Sequence, residues 1–218
     1  MILGLIGSHR TGKTTLAESF AKKTGATVVK MSIGSLQKEL GFDSSNQSYD
    51  FDTRMEIQEH LLRRFEEIYM AVKGVDAVAD RTPLDLIGYT MLAVKDDLSE
   101  AQSDRLEKYV QDCINLTNEF FSALVLLQPG IPLSTAATSA KSCRAMMEKL
   151  NFIYLGTITD ERNIVPHFYI PRALTDIECR VKACELAIKK AFERMKKKPL
   201  RSAVHTIGGV EFATATRQ

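Results

Sequence analysis

One stretch constrains this chain more than any other: Gly7-Ser8-His9-Arg10-Thr11-Gly12-Lys13-Thr14-Thr15. It follows an apolar run, Ile2-Leu3-Gly4-Leu5-Ile6, and opens a helix-like segment from Leu16 to Lys23. The spacing is G-x-x-x-x-G-K-[ST], the Walker A pattern. Gly7 and Gly12 permit backbone angles that turn successive N–H groups inward, making an anion-sized nest. The helix start adds partial positive charge. Lys13 is placed to reach the β- and γ-phosphates of a nucleotide, and the Thr14 hydroxyl to hold Mg²⁺. All nine residues are therefore candidates to line an ATP site.

The rest of the composition narrows the class. A chain of 218 residues with 44% apolar content suits one α/β domain with short additions. A net charge of +2 does not by itself call for nucleic acid. Cys113, Cys143, Cys179 and Cys184 lack zinc spacing and read as reduced, mostly buried thiols of a cytoplasmic protein. The first apolar run stops after five residues at the loop, so it reads as a strand and not a signal peptide. No apolar run approaches the length of a membrane span.

Strand-like and helix-like segments alternate. Strands are expected at Ile2–Ile6, Thr27–Met31, Val75–Ala79, Phe121–Leu127 and Val165–Ile170. Gly25 is a plausible stop for the first helix, and Ser32–Gly41 holds a short one. Capping boxes are read at Thr53–Glu56, Ser99–Gln102 and Thr175–Glu178, starting helices that run to about Val72, past Thr117 and to about Lys197. Leu84–Val94 and Ala140–Ile158 also read as helical. This alternation predicts an α/β fold: a parallel sheet covered on both faces, with ligands at the carboxyl ends of the strands. Gly7, Asp80 and Pro129 all fall at such ends.

Two regions go beyond this pattern. Segment 134–163, after strand four, sits where a lid belongs and offers Lys141, Arg144, Lys149 and Arg162. The C-terminal residues 201–218 form an extension to a domain spanning 1–200, and Val204–Phe212 reads as a two-residue-turn hairpin. Before it, Lys189, Lys190, Arg194, Lys196, Lys197, Lys198 and Arg201 face a single acid, Glu193. That run suits a solvated helix end or a contact with a nucleic-acid backbone.

Phosphoryl transfer needs positioning and positive charge more than covalent help. Asp80 ends strand three beside the phosphate loop, as a Walker-B-like carboxylate would, and with Thr14 is the candidate metal ligand. Arg81 offers a planar fork for an acceptor or phosphate. Asp85 reads as a first-turn partner of the helix dipole. Arg144 is the favoured lid arginine, so Lys13, Asp80, Arg81 and Arg144 form the candidate catalytic set. Strand two ends in Lys30-Met31-Ser32 with no acid, which leaves the base role to Asp80, Asp50, Asp52 or no residue. His9 reads as loop surface, and Tyr49 and Phe51 as either packing or base-stacking aromatics. A GTPase switch is disfavoured, because Asp85-Leu86-Ile87-Gly88 follows a proline and no Asn-Lys-x-Asp motif occurs. A nucleotide-dependent DNA-binding ATPase without an acceptor has only the basic tail in its favour.

Gly7–Thr15, Asp80-Arg81-Thr82-Pro83-Leu84-Asp85, and Pro171-Arg172 with Glu178-Cys179-Arg180-Val181 together resemble P-loop nucleoside and nucleotide kinases. The look is of the thymidylate-kinase-like and nicotinamide-riboside-kinase-like ATPases, especially those of bacteriophages; a similar phage branch phosphorylates 5-hydroxymethyluracil within DNA. Over residues 1–195 the resemblance implies a three-layer sandwich with a five-stranded parallel sheet in order 2-3-1-4-5, a helical lid, and an ATP–Mg²⁺ site at Gly7–Thr15. It implies an acceptor pocket from residues 32–60 with Asp80-Arg81. Expected partners are a nucleotide donor, a nucleoside, nucleotide or DNA-base acceptor, nucleic acid along Lys189–Arg201, and a second copy in a homodimer, with no membrane. The location expected is the cytoplasm, of a host if the chain is phage-encoded.

Overall fold

The computed structural model describes residues 1–42, 49–94, 97–132, 144–196, 201–207 and 210–216. Five parallel strands run β1 (Ile2–Ile6), β2 (Thr27–Val29), β3 (Ala77–Ala79), β4 (Ala123–Leu127) and β5 (His167–Ile170), in spatial order β2-β3-β1-β4-β5. This is the expected order. β1 is central, with Leu3 beside Val78 on one flank and Ala123 on the other. All five of its residues are buried, which is why its sequence shows no polar alternation.

Alternation reappears as a choice between two apolar layers. Leu3 and Leu5 point with Val78, Val125 and Leu127 into the layer of α1 (Lys13–Thr24) and α7 (Ile177–Lys196). Ile2 and Ile6 point with Ala77, Leu124 and Leu126 into the opposite layer. That layer holds α2 (Ile33–Glu39), α3 (Phe51–Ala71), α4 (Pro83–Ala93), α5 (Glu100–Phe120) and α6 (Arg144–Thr159). The C-terminal strands β6 (Arg201–Ile207) and β7 (Val210–Thr216) pair antiparallel; the turn glycines expected between them lie outside the described residues.

Local chemistry moves several expected boundaries. Gly25 closes α1 at a φ of 78°, as expected, but α1 starts at Lys13 and not at Leu16. Two of the three capping boxes are misplaced. The Thr53 N–H donates to Asp50 Oδ1, so α3 starts at Phe51, and the Cys179 N–H donates to Asp176 Oδ1, so α7 starts at Ile177. In both cases a nearby aspartate outcompetes the threonine for the free donors of the first turn. Ser99 does cap α5 with Gln102. Cys113 and Cys184 are buried, with burial pushing the Cys184 thiol up to about 12, Cys179 is exposed, and Cys143 lies outside the described residues. Among the described residues no helix is long and apolar enough to cross a membrane.

The expected lid divides in the same way. Residues 133–143, Lys141 among them, lie outside the described residues. The described part, α6, is anchored: Leu150, Tyr154 and Ile158 are fully buried, and the Tyr154 ring occupies the space a side chain on Gly88 of α4 would need. This contact generates a paired prediction. Gly88→Ala should destabilise the protein by about 1–3 kcal/mol, because overpacking outweighs the gain in helix propensity. Gly156→Ala, on the exposed side of α6 with open space around it, should stabilise by roughly 0.5–1 kcal/mol. Urea unfolding of the two variants reads both signs.

Candidate active site

The phosphate loop leaves β1 at Gly7, whose φ of 152° and 2.7 Å approach of its would-be Cβ to the Leu127 carbonyl exclude a side chain. Gly12, at a φ of 84°, is the N-cap of α1. Between them Arg10 holds a φ of 61°, a left-handed backbone that costs a non-glycine residue about 1–2 kcal/mol. Loop-to-loop bonds hold this shape, with the Thr11 hydroxyl donating to the Ser8 carbonyl at 2.9 Å.

Lys13 is 5% exposed, and its ammonium donates to the Gly7 and Ser8 carbonyls at 2.5 and 2.8 Å. An ammonium has three donors, so one remains for a ligand. Burial first, and then the charge on Arg81, lower its pKa to about 7, while Asp85 and Asp80 oppose the shift. An anion seated here would restore the full charge.

Asp80 follows β3, whose neighbour in the sheet is β1; Gly4 pairs with Ala79. That adjacency delivers the carboxylate to the loop. Asp80 Oδ2 accepts from the Thr14 hydroxyl at 2.8 Å, and Oδ1 from the Met31 N–H at 3.1 Å. Strand two's end is thus tied to the site through its backbone, with no acid of its own. Asp50 and Asp52 are committed elsewhere: Asp50 caps α3, and Asp52 accepts from Gln102 and Arg105 of α5.

Arg81 is held at both ends. Its carbonyl accepts from the buried Tyr69 hydroxyl at 2.6 Å, and its guanidinium lies 3.6 Å from Asp85 Oδ1. Asp85 is fully buried, and its Oδ2 accepts from the N–H and hydroxyl of Thr82. It closes a capping box on α4 and neutralises Arg81, which is more than the dipole partner expected. His9 also departs from expectation: it is half-buried, and burial together with Lys13, Arg10 and Arg81 holds its pKa below the usual value. Tyr49 and Phe51 pack on the core, the Tyr49 ring set edge-on to Phe42.

Arg144 is exposed at the start of α6 and lines a cleft of 220 Å³ with Pro129, Ile131, Pro132, Met147 and Glu148. Ile131 also reaches Gly12, so the cleft borders the phosphate loop. Arg172, after β5, forks onto Glu148 at 2.5 and 2.6 Å and ties that loop to α6.

Sequence reasoning assigned no role to Arg180. It is 1% exposed on α7, donating to the Thr11 carbonyl at 2.8 Å and the Leu174 carbonyl at 2.6 Å. The signal was available: a lone arginine beside Val181 and Cys184 on an apolar helix face must find a partner.

Buried polar atoms without partners gather here. Among the described residues Ser8 Oγ, His9 Nε2 and Arg180 Nη2 lack a hydrogen bond, as do Arg81 Nη1 and Asp85 Oδ1, which face each other across their 3.6 Å ion pair; Asn151 Oδ1 and His167 Nδ1 are the others. Orphaned polar atoms concentrated at one place mark a ligand site. The donors suit an anion, and the Thr14 and Asp80 oxygens suit a hard cation that keeps several waters. Removing Asp85 tests the local charge balance. Asp85→Ala strands the Arg81 guanidinium and should cost about 3–5 kcal/mol of stability, read as a lowered unfolding midpoint.

Comparison with known proteins agrees with this architecture. The fold is similar to that of thymidylate kinase from Candida albicans (TM-score 0.60, 14% identity, covering 87% of this chain and 91% of that one). It is similar to deoxyadenosine kinase from M. mycoides with bound dCTP (TM-score 0.56, 16% identity, 87% of this chain and 100% of that one). The Bacillus subtilis YorR protein, in complex with phosphorylated GDP, aligns with a TM-score of 0.52 at 14% identity over 90% of this chain and 99% of that one. No curated protein matches the sequence. Residues 3–122, more than half of the chain, match the model of the ATPase family associated with various cellular activities, and the protein belongs to that family of P-loop NTPases.

Proposed function

We propose that the protein is an ATP- and Mg²⁺-dependent kinase that transfers the γ-phosphoryl group to a hydroxyl of a nucleoside, nucleotide or modified base. The observation that carries this reading is the cluster of unpartnered buried polar atoms around a glycine loop whose lysine keeps a donor in reserve. Kinase folds among its structural neighbours support it.

Each residue then has a task. Loop N–H groups from Gly7 to Thr15 cradle the polyphosphate, and Lys13 neutralises its outer end. Thr14 and Asp80 hold the metal, and Mg²⁺ when bound supplies charge neutralisation on the phosphate oxygens. Asp80 also keeps the Thr14 hydroxyl aimed. Arg81, steadied by the ion pair between its Nη1 and Asp85 Oδ1, lends positive charge to the acceptor side of the site. Arg144 approaches from the cleft beside Gly12 and spreads charge over the transferring group.

The exposed Lys189, Lys190, Arg194 and Lys196 at the end of α7 favour a second reading, in which the acceptor is a 5-hydroxymethylpyrimidine within phage DNA. A cytoplasmic setting, with a homodimer as the assembly, accompanies either reading. In a third, the protein is a DNA-binding ATPase and needs no acceptor.

One experiment separates them. The protein is incubated with γ-labelled ATP and a panel of nucleosides, nucleotides, and plain or hydroxymethylated DNA. Label should pass to a hydroxyl acceptor; ATP hydrolysis indifferent to every acceptor would reject the kinase. Lys13→Ala should retain the fold and lose transfer by at least about a hundredfold. Arg144→Ala should lower kcat by roughly 10³-fold, and a change of only a few-fold would remove it from the site. On DNA, charge reversal at Lys189, Lys190 and Lys196 should weaken labelling and flatten its salt dependence.

A further inference from the structure

The geometry points to Arg180 as a positioning residue of the phosphate cradle: by holding the Thr11 carbonyl, it fixes the Thr11–Gly12 peptide with its N–H turned towards the phosphate. This rests on the donor-site reading above. A trans peptide is planar, and its C=O and N–H point in opposite directions. An anion nest needs inward N–H groups, so each carbonyl behind it needs an outward partner. Thr11 finds that partner in Arg180 Nη1 at 2.8 Å. Rotating the peptide would break a charge-assisted bond and leave a buried guanidinium N–H unpaired.

Three further observations give the arginine a role beyond joining α7 to a loop. Arg180 Nη1 lies 3.2 Å from where a Gly12 Cβ would sit, so its charge stands directly behind the N-cap of α1. Its bonds run to carbonyls, and no carboxylate among the described residues pairs with it. Its Nη2 is buried without any partner. A cation buried at 1% exposure with no counter-ion is costly unless a ligand supplies the negative charge. The Nε bond to the Leu174 carbonyl fixes the guanidinium plane, so the fork cannot turn away from the loop.

The test measures binding of ATP and of inorganic triphosphate by calorimetry to wild type, Lys13→Ala, Arg180→Met and Arg180→Lys. Thermal midpoints are recorded, together with the Gly12 amide resonance in ¹⁵N-labelled protein. Arg180→Met should bind both ligands at least about tenfold more weakly. Arg180→Lys keeps a cation and an apolar stem, and so folds even where methionine does not. It should recover only part of the affinity, because one ammonium cannot hold both carbonyls in the plane of the fork. Triphosphate should shift the Gly12 amide in wild type, and that shift should be lost in Arg180→Lys at an unchanged midpoint. A folded Arg180 variant that binds both ligands within about twofold of wild type, with the shift intact, overturns the inference while weak binding by Lys13→Ala leaves the donor site standing. Wild type that binds neither ligand overturns both.

Discussion

Burying positive charge without fully neutralising it is the condition on which the rest of the structure depends. Lys13 and Arg180 are each at most 5% exposed, and the charge on Arg81 acts on Lys13 against the buried carboxylates of Asp80 and Asp85. No carboxylate among the described residues pairs with Arg180, and the N-terminus of α1 adds to the positive field. Desolvating such a group costs several kcal/mol, so the fold must hold it rigidly and offer it to something anionic. The parallel sheet provides the rigidity. β1, flanked by β3 and β4, brings the glycine loop, the Asp80 carboxylate and the Pro129–Pro132 turn to one edge.

The supports come from elements remote in sequence. Tyr69 of α3 holds the Arg81 carbonyl, Met31 after β2 holds Asp80, and Arg180 of α7 holds Thr11. Backbone groups serve in each pairing, and backbone contacts leave little trace in residue identity. Only the loop itself, where glycine is required by a φ of 84° at Gly12 and by the approach of Leu127 at Gly7, writes its geometry into the sequence.

This explains what the sequence disclosed and what it withheld. The phosphate loop, the sheet order implied by resemblance, and the placement of Asp80 were legible because each depends on a short local pattern. The caps at Thr53 and Thr175 were misread because Asp50 and Asp176 compete for the same N–H donors, a contest decided by first-turn geometry. Asp85 read as a first-turn partner of the helix dipole, whereas it is completely buried and pairs with Arg81. Arg180 stood in the quoted resemblance without a role, since its partner lies across the molecule. The segment from 32 to 60 carries no residue pattern specific to one acceptor, and among its described residues Leu36, Met55 and Ile57 are buried in the core.

The Tyr154 side chain has an architectural consequence. Its ring seats in the notch left by Gly88, and its hydroxyl donates to the Asp85 carbonyl at 3.4 Å. A knob seated in this way resists lengthwise sliding of α6 over α4. The helix that begins at Arg144 is therefore pinned to the turn of α4 that carries Asp85, the ion-pair partner of Arg81.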